Sequence, residues 1–171
     1  MTLPKGLQSL TFGFDFNQSL QGVKLPSGLQ TLTFDQRFNQ SLEGVTLPNS
    51  LQSLTFGNAF LNLWLAGVIL PSSLKILTFG DGHFNQSLET VALPNNLQSL
   101  TLGNILKTSL DRVVLPSSLQ HLVFRGSFNH SLERVNLPST LQTLTFGRDF
   151  NQSLERVNLP SSLKSQGFDI G

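Results

Sequence analysis

The sequence predicts an all-β protein, a parallel β-solenoid in which a unit of 22 residues is repeated along the chain. All eight prolines follow a leucine, and the intervals between them are 22 residues with two steps of 23. They are Pro4, Pro26, Pro48, Pro71, Pro94, Pro116, Pro138 and Pro160. Two short apolar patterns alternate between successive prolines, and no window shows apolar residues at helical spacing with helix caps. We therefore expect strands and turns, with little or no helix.

Each repeat is expected to contain two short strands. The first pattern is Leu-x-x-Leu-Thr-Phe, as in residues 29–34, and the second is Leu-x-x-Val-x-Leu, as in residues 42–47. In both patterns the last three residues alternate with the two-residue period of a strand, and the pair before them fits a bend. With strands about 4.7 Å apart, about seven to eight coils would form a rod about 35 Å long.

The connections between the predicted strands carry turn residues. Glycine recurs directly after the first strand, and we expect it to adopt the positive φ that ends a strand. These residues are Gly13, Gly57, Gly80, Gly103 and Gly147. After the second strand, proline stops the ladder and small polar residues turn the chain. Because each coil buries its apolar side only against its neighbours, residues 1–171 are interpreted as one solenoid domain, whose last coil, 163–171, is degenerate.

One motif carries a family resemblance. Thr-Phe-Gly followed by Phe-Asn-Gln stands intact in residues 145–152, and edited copies cover nearly the whole chain. These residues resemble the FNIP repeat family, a leucine-rich-like repeat named for Phe-Asn and Ile-Pro. Leu-Pro stands here for Ile-Pro, and Ser19, Ser41, Ser87 and Ser153 stand where that family often has proline. The resemblance implies a parallel-stranded solenoid, frequently attached to other domains, that serves protein interactions.

The composition argues against several functional classes. Charged residues make up 12% of the chain, the net charge is +1, and cysteine is absent. No global field therefore draws the protein to nucleic acid or to an anionic membrane, and disulfides and thiolate metal sites are excluded. No apolar run approaches the ~20 residues of a membrane span. The serines and three histidines show no nucleophile or metal-ligand spacing, so we expect no enzymatic activity and no cofactor.

Because a solenoid turns each repeat position into a column, candidate sites are sought in columns. The outward positions of the first strand form two columns of hydroxyl-bearing side chains, about 7 Å apart and repeating about every 4.7 Å. The flat-face candidates are Thr11, Thr31, Thr33, Thr55, Thr78, Thr101, Thr143 and Thr145. This uncharged lattice resembles the ice-binding faces of β-solenoid antifreeze proteins, but threonine also suits any exposed strand. Ile76, His121 and Val123 interrupt the lattice.

An asparagine column follows the first strand. We expect its side chains to form a ladder that satisfies backbone groups of the turns. Each asparagine also begins an Asn-x-Ser glycosylation sequon, and sugars there would contradict a buried ladder. The sequons therefore favour a cytoplasmic location, although the sequence does not fix the compartment. The members of the column are Asn17, Asn39, Asn85, Asn129 and Asn151.

Charged residues form two adjacent columns near the second strand. The acidic column is Glu43, Glu89, Asp111, Glu133 and Glu155, and the basic column is Arg112, Arg134 and Arg156. Opposite charges in neighbouring columns favour a solvated, self-compensating edge. The alternative is a partner patch on the C-terminal half, because Gly22, Gly44 and Gly67 hold the arginine position earlier in the chain. Trp64, in an inserted turn, is either an anchor for that partner or folded over the core.

Together these features favour a non-enzymatic repeat scaffold for protein–protein interaction with an unidentified protein partner. The first alternative is an ice-binding protein that uses the threonine columns, and the second is a self-assembling structural rod. Exposed coil ends present unpaired strand edges, so end-to-end self-association is also expected. The first residues are already in repeat phase, which suggests that the segment belongs to a longer array.

Overall fold

The computed structural model describes residues 3–58, 65, 67–81, 87–104 and 109–168. Its eight strands are β1 (Ser9–Phe12), β2 (Thr31–Phe34), β3 (Ser53–Phe56), β4 (Ile76–Phe79), β5 (Ser99–Asn104), β6 (His121–Arg125), β7 (Thr143–Phe146) and β8 (Ser165–Phe168). They form one parallel sheet in chain order, and the described residues contain no helix. The prediction of an all-β parallel solenoid is confirmed.

The register of the sheet follows the repeat. Leu10 pairs with Leu32, Leu32 with Leu54, and Leu54 with Leu77, so equivalent side chains lie one above another. The steps from Leu54 to Leu77 and from Leu77 to Leu100 are one residue longer than the others, yet equivalent residues still pair. One irregularity occurs between β5 and β6, where the register shifts at Leu102 and Asn104.

The first apolar pattern forms these strands because its alternation suits a sheet with one buried face. In β2, β3 and β7 the leucine and the phenylalanine are buried, and the two polar residues are half-buried on the outside. Before each strand from β2 to β8, one carbonyl of the preceding coil accepts two N–H groups. The Gln30 carbonyl, for example, accepts from Gln52 and Ser53 at 2.8 and 3.0 Å.

Stacked phenylalanine rings fill much of the core. Phe12, Phe34, Phe56 and Phe79 form a file with ring centroids 5.3 to 5.5 Å apart and interplanar angles below 10°. A second ring from the same coil packs against this file, as Phe38 does on Phe34 at 3.9 Å. The file is interrupted where Leu102 stands and resumes in Phe124 and Phe146, 5.8 Å apart.

The prediction of a second strand in each coil is wrong. The residues of that segment are not paired into a sheet anywhere in the described chain, although Val45 and Leu47 point into the core and are buried. The segment begins with a tight turn, in which the Val45 N–H donates to the Leu42 carbonyl at 3.0 Å, and it ends at a proline that has no N–H. The residues between turn and proline are too few to build a ladder.

From Pro48 onward, the corner after each proline is closed by a side-chain bond to the preceding coil. The Ser50 hydroxyl donates to the Leu29 carbonyl at 2.6 Å, and the Ser162 hydroxyl donates to the Leu141 carbonyl at 2.7 Å. Thr140 Oγ1 takes the same position and lies within 2.8 Å of the Leu119 carbonyl. These hydroxyls satisfy carbonyl groups that the ladder leaves unpaired.

The role predicted for the glycines after the first strand is also corrected. Among the described residues only Gly22, Gly44, Gly67 and Gly126 adopt positive φ, so none of the five glycines predicted to do so does. Glycine is needed there for another reason. A Cβ on Gly57 would lie 2.6 Å from the Asp35 carbonyl carbon, and Gly80, Gly103 and Gly147 also meet the backbone of the preceding coil. Close approach of neighbouring coils therefore selects glycine.

Gly57→Ala should destabilise the protein by about 1–3 kcal/mol, because the new methyl group meets rigid backbone rather than a flexible side chain. Gly13→Ala is the matched control, since a Cβ at Gly13, in the same column, meets no atom within 4 Å. Urea unfolding followed by circular dichroism measures both variants. Equal midpoints for the two variants would contradict the contact argument.

Candidate functional site

The strand face is the surface formed by two outward columns of β1–β7, one from Ser9 to Thr143 and the other from Thr11 to Thr145. Pairing brings Thr33, Thr55 and Thr78 into one column and Thr31, Ser53 and Ile76 into the column beside it. The flat-face candidates therefore lie together on one surface: Thr11, Thr31, Thr33, Thr55, Thr78, Thr101, Thr143 and Thr145. Both columns run without a charged residue from β1 to β7.

Most side chains of the strand face are half-buried by their neighbours in the sheet. Thr101 is the most enclosed, at 8% exposure, and Ile76 is the most exposed apolar member, at 43%. His121 interrupts the hydroxyl lattice, but its Nδ1 lies 2.9 Å from Thr143 Oγ1, so it is hydrogen-bonded within the face. The strand face is thus uncharged, and most of its side chains are partly enclosed by their neighbours.

The asparagine column makes hydrogen bonds between successive coils. Asn17 Oδ1 accepts from the Asn39 N–H at 2.8 Å and from Gln40 Nε2 at 3.1 Å. Asn129 Oδ1 accepts from the Asn151 N–H and from Gln152 Nε2 at the same distances. Asn17, Asn129 and Asn151 are exposed rather than buried, and Asn85 lies outside the described residues. This arrangement ties the turns of adjacent coils together.

The turn edge consists of the two exposed residues within each Leu-x-x-Val turn. A serine that begins the turn accepts the N–H of the first edge residue, as Ser41 Oγ does from Glu43 and Ser131 Oγ from Glu133, at 3.0 and 3.2 Å. Six coils share this bond, which sequence reasoning missed. The recurring Ser-Leu-Glu tripeptide was the available signal, because serine two residues ahead of an N–H favours such turns.

The turn edge changes conformation along the rod. Gly22, Gly44 and Gly67 hold φ between 74° and 84° at the second edge position, as a type II turn requires. Arg112, Arg134 and Arg156 hold that position in later coils with negative φ, as in a type I turn. The arginine residues of the predicted partner patch therefore lie together on one edge, while Trp64 falls outside the described residues.

A groove of about 630 Å³ lies beside the glycine-containing turns. Its walls include Gly22, Gly44, Thr46 and Asn49, and Lys24 is the only charged residue that lines it. The groove is open because neither Gly22 nor Gly44 carries a side chain, and a Cβ on Gly22 would meet nothing within 4 Å. Sequence reasoning did not identify this groove.

The described residues hold no group of three His, Cys, Asp or Glu side chains that could bind a metal ion. His121 is bonded on the strand face, and His130 packs edge-on against Phe128 with ring centroids 5.7 Å apart. The two described histidines therefore occupy separate structural positions. In the same described part of the chain, no helix is long and apolar enough to cross a membrane.

The fold and its periodic surfaces define a repeat protein of the leucine-rich type, with one parallel strand in each repeat. The model of the FNIP repeat matches residues 1–37, 16–59, 38–82, 62–105, 84–127 and 128–165, so the chain belongs to the FNIP repeat family. This confirms the resemblance inferred from the sequence. No curated protein matches the chain significantly.

A solved structure is similar to this chain over nearly its whole length. It is the crystal structure of CroV588, described as a novel circular LRR protein, with 45% sequence identity and a TM-score of 0.85. The alignment covers 97% of this chain but only 24% of the CroV588 chain, so the present chain spans about a quarter of that protein's length.

Gly44→Ala should destabilise the protein by about 1 kcal/mol, because alanine at a φ of 74° is strained although its methyl group would meet no other atom. Arg134→Ala is the matched control at the same repeat position, where φ is negative, and should stay within about 0.5 kcal/mol of the parent. Thermal and urea unfolding compare the two. An unchanged Gly44→Ala variant would refute the assignment of two turn types.

Proposed function

We propose that the chain is a non-enzymatic scaffold that binds a protein partner on the strand face. The observation that supports this is the absence of charged side chains from both outward columns of β1–β7. Depletion of charged residues distinguishes the buried centre of a protein–protein interface from the remaining surface. A partner could therefore cover this face without the cost of desolvating a charge.

The stiffness of the strand face supports the same proposal. In the column of Thr33, each residue of β2–β7 stands between two buried inward residues, as Thr33 stands between Leu32 and Phe34, both 0% exposed. Neighbouring strands further hold the side chains in register. A surface that is already ordered loses little conformational entropy when a partner docks. Ile76 adds an exposed apolar contact near the middle of the face.

Charge placed on the strand face should abolish partner binding. We expect wild-type chain used as bait to retain one stoichiometric partner, and Thr33→Arg/Thr55→Arg to weaken that binding at least about 100-fold, because the partner would bury unpaired charges. Affinity is measured by calorimetry with the purified partner.

The matched control is Gln21→Arg, which adds the same side chain at an exposed position of the turn edge. It should bind like the parent, and all variants should unfold at similar urea concentrations. Retained binding by Thr33→Arg/Thr55→Arg would overturn the proposed surface. Loss on charge reversal at Arg134 and Arg156 instead would place the partner on the turn edge.

Ice binding is a second candidate function, and the register of the threonine columns favours it. Thr33, Thr55 and Thr78 are paired strand to strand, so their hydroxyls and methyls repeat at the sheet spacing of about 4.7 Å. A flat lattice of this kind can match ordered water. The apolar Ile76 breaks the lattice in β4, and the hydrogen-bonded His121 and the apolar Val123 break it in β6.

If the threonine columns bind ice, the wild-type chain should show measurable thermal hysteresis at protein concentrations up to about 1 mM, because the flat lattice would adsorb to the ice surface. Thr55→Lys should remove most of that hysteresis, since a long charged side chain would stand in the centre of the face. Gln21→Lys on the turn edge is the control and should keep it. A wild-type chain without hysteresis or shaped ice crystals excludes this function and leaves the scaffold proposal untouched.

A further inference from the structure

Three acid–arginine pairs occupy the turn edge in the C-terminal half of the rod. They are Asp111–Arg112, Glu133–Arg134 and Glu155–Arg156, and all six residues are exposed. Each pair lies inside a tight turn closed by a backbone bond of 3.0 to 3.1 Å, from Val113 to Leu110, from Val135 to Leu132 and from Val157 to Leu154. Three successive coils therefore present one acidic column beside one basic column.

Within the part of the chain that the structure describes, the side chains of these three arginines make no ion pair or hydrogen bond. The ion pairs of the described residues lie elsewhere, at Arg37–Asp15, Arg125–Asp81 and Arg148–Asp149. None of the three turn-edge arginines comes within 4.0 Å of a carboxylate in the described structure, and none donates a hydrogen bond there. The side chains are therefore free to pair with an external surface.

Two parallel columns of opposite charge are complementary to themselves under one symmetry operation. A two-fold axis parallel to the rod exchanges left and right but keeps the coils at the same height, so each acidic column faces the arginine column of the other copy. A two-fold axis perpendicular to the rod, in the plane of the contact, reverses the order of the coils but leaves each column on its own side. The acidic columns would then face each other, and so would the arginine columns. Electrostatics therefore selects the parallel arrangement.

We propose that a second copy of this chain docks side by side on the turn edge, about a two-fold axis parallel to the rod. A shallow cleft of about 330 Å³, lined by Asp111, His130, Glu133 and Arg134 among others, offers a place for an arginine of the second copy between two carboxylates. The net charge of only +1 adds almost no overall repulsion between copies. The N-terminal coils lack the arginines, which confines the contact to one half.

The association is weak and depends on salt, because exposed ion pairs are individually weak and are screened by ions. The Debye length falls from about 30 Å at 0.01 M salt to about 3 Å at 1 M. We therefore expect dimers at low ionic strength and monomers at high ionic strength. End-to-end association through strand edges would instead give growing fibres rather than a closed pair.

The experiment is sedimentation velocity of the full chain across this range of salt. The wild-type chain should dimerise at low salt, and its dissociation constant should rise at least about tenfold in Arg134→Glu/Arg156→Glu. The column-exchanged variant Glu133→Arg/Arg134→Glu/Glu155→Arg/Arg156→Glu should restore the dimer, because each copy again carries two opposite columns. Arg37→Glu/Arg148→Glu is the matched control, which reverses two arginines outside the turn edge and should dimerise like wild type.

Mixing separates this symmetric contact from nonspecific attraction. Arg134→Glu/Arg156→Glu makes the edge wholly acidic at those coils, and Glu133→Arg/Glu155→Arg makes it wholly basic. Each should be monomeric alone, and the two should form a one-to-one heterodimer when mixed at low salt. A wild-type chain that stays monomeric at about 1 mM in low salt, or a dimer unaffected by these changes, overturns the proposal. Neither result bears on the strand face, which carries no residue altered here.

Discussion

The structure depends on one constraint, which is that every coil must place its backbone and its apolar side chains directly over those of the coil before it. Parallel pairing fixes the spacing, and at that spacing phenylalanine rings stack in a file from Phe12 to Phe79. The same closeness leaves no room for a Cβ at Gly57, Gly80, Gly103 or Gly147. Side-chain bonds at the corners and in the asparagine column reinforce the same vertical contact.

The sequence predicts the features that depend on period alone. The 22-residue repeat predicts the register, and the Leu-Thr-Phe alternation predicts the strands, because an inward position must remain inward in every coil. It does not predict how the second apolar segment is held. Val45 and Leu47 are buried. An apolar pattern predicts this burial but does not distinguish a hydrogen-bonded strand from an unpaired extended segment. The glycine columns were misread because their function depends on distances between coils, which no single repeat contains.

The two kinds of glycine column show how one residue type serves two physical needs. Gly57 has an ordinary φ and yields space to the neighbouring backbone, whereas Gly44 has space around it and supplies a positive φ. The second kind can be replaced by changing the turn, and the later coils do this by placing Thr90 or an arginine there at negative φ. The chain thereby acquires different N-terminal and C-terminal halves without a change in its core.

The division of charge between surfaces follows from the same geometry. A charged side chain on the strand face would be half-buried by the neighbouring strands and would lose part of its hydration. A charged side chain on the turn edge remains exposed to water. The strand face consequently carries hydroxyls and the turn edge carries carboxylates and arginines. Because the two surfaces share no residue, a partner on the strand face and a second copy on the turn edge could bind at the same time. The two-fold axis parallel to the rod points the strand faces of the two copies in opposite directions, so a dimer of this kind could hold one partner molecule on each side.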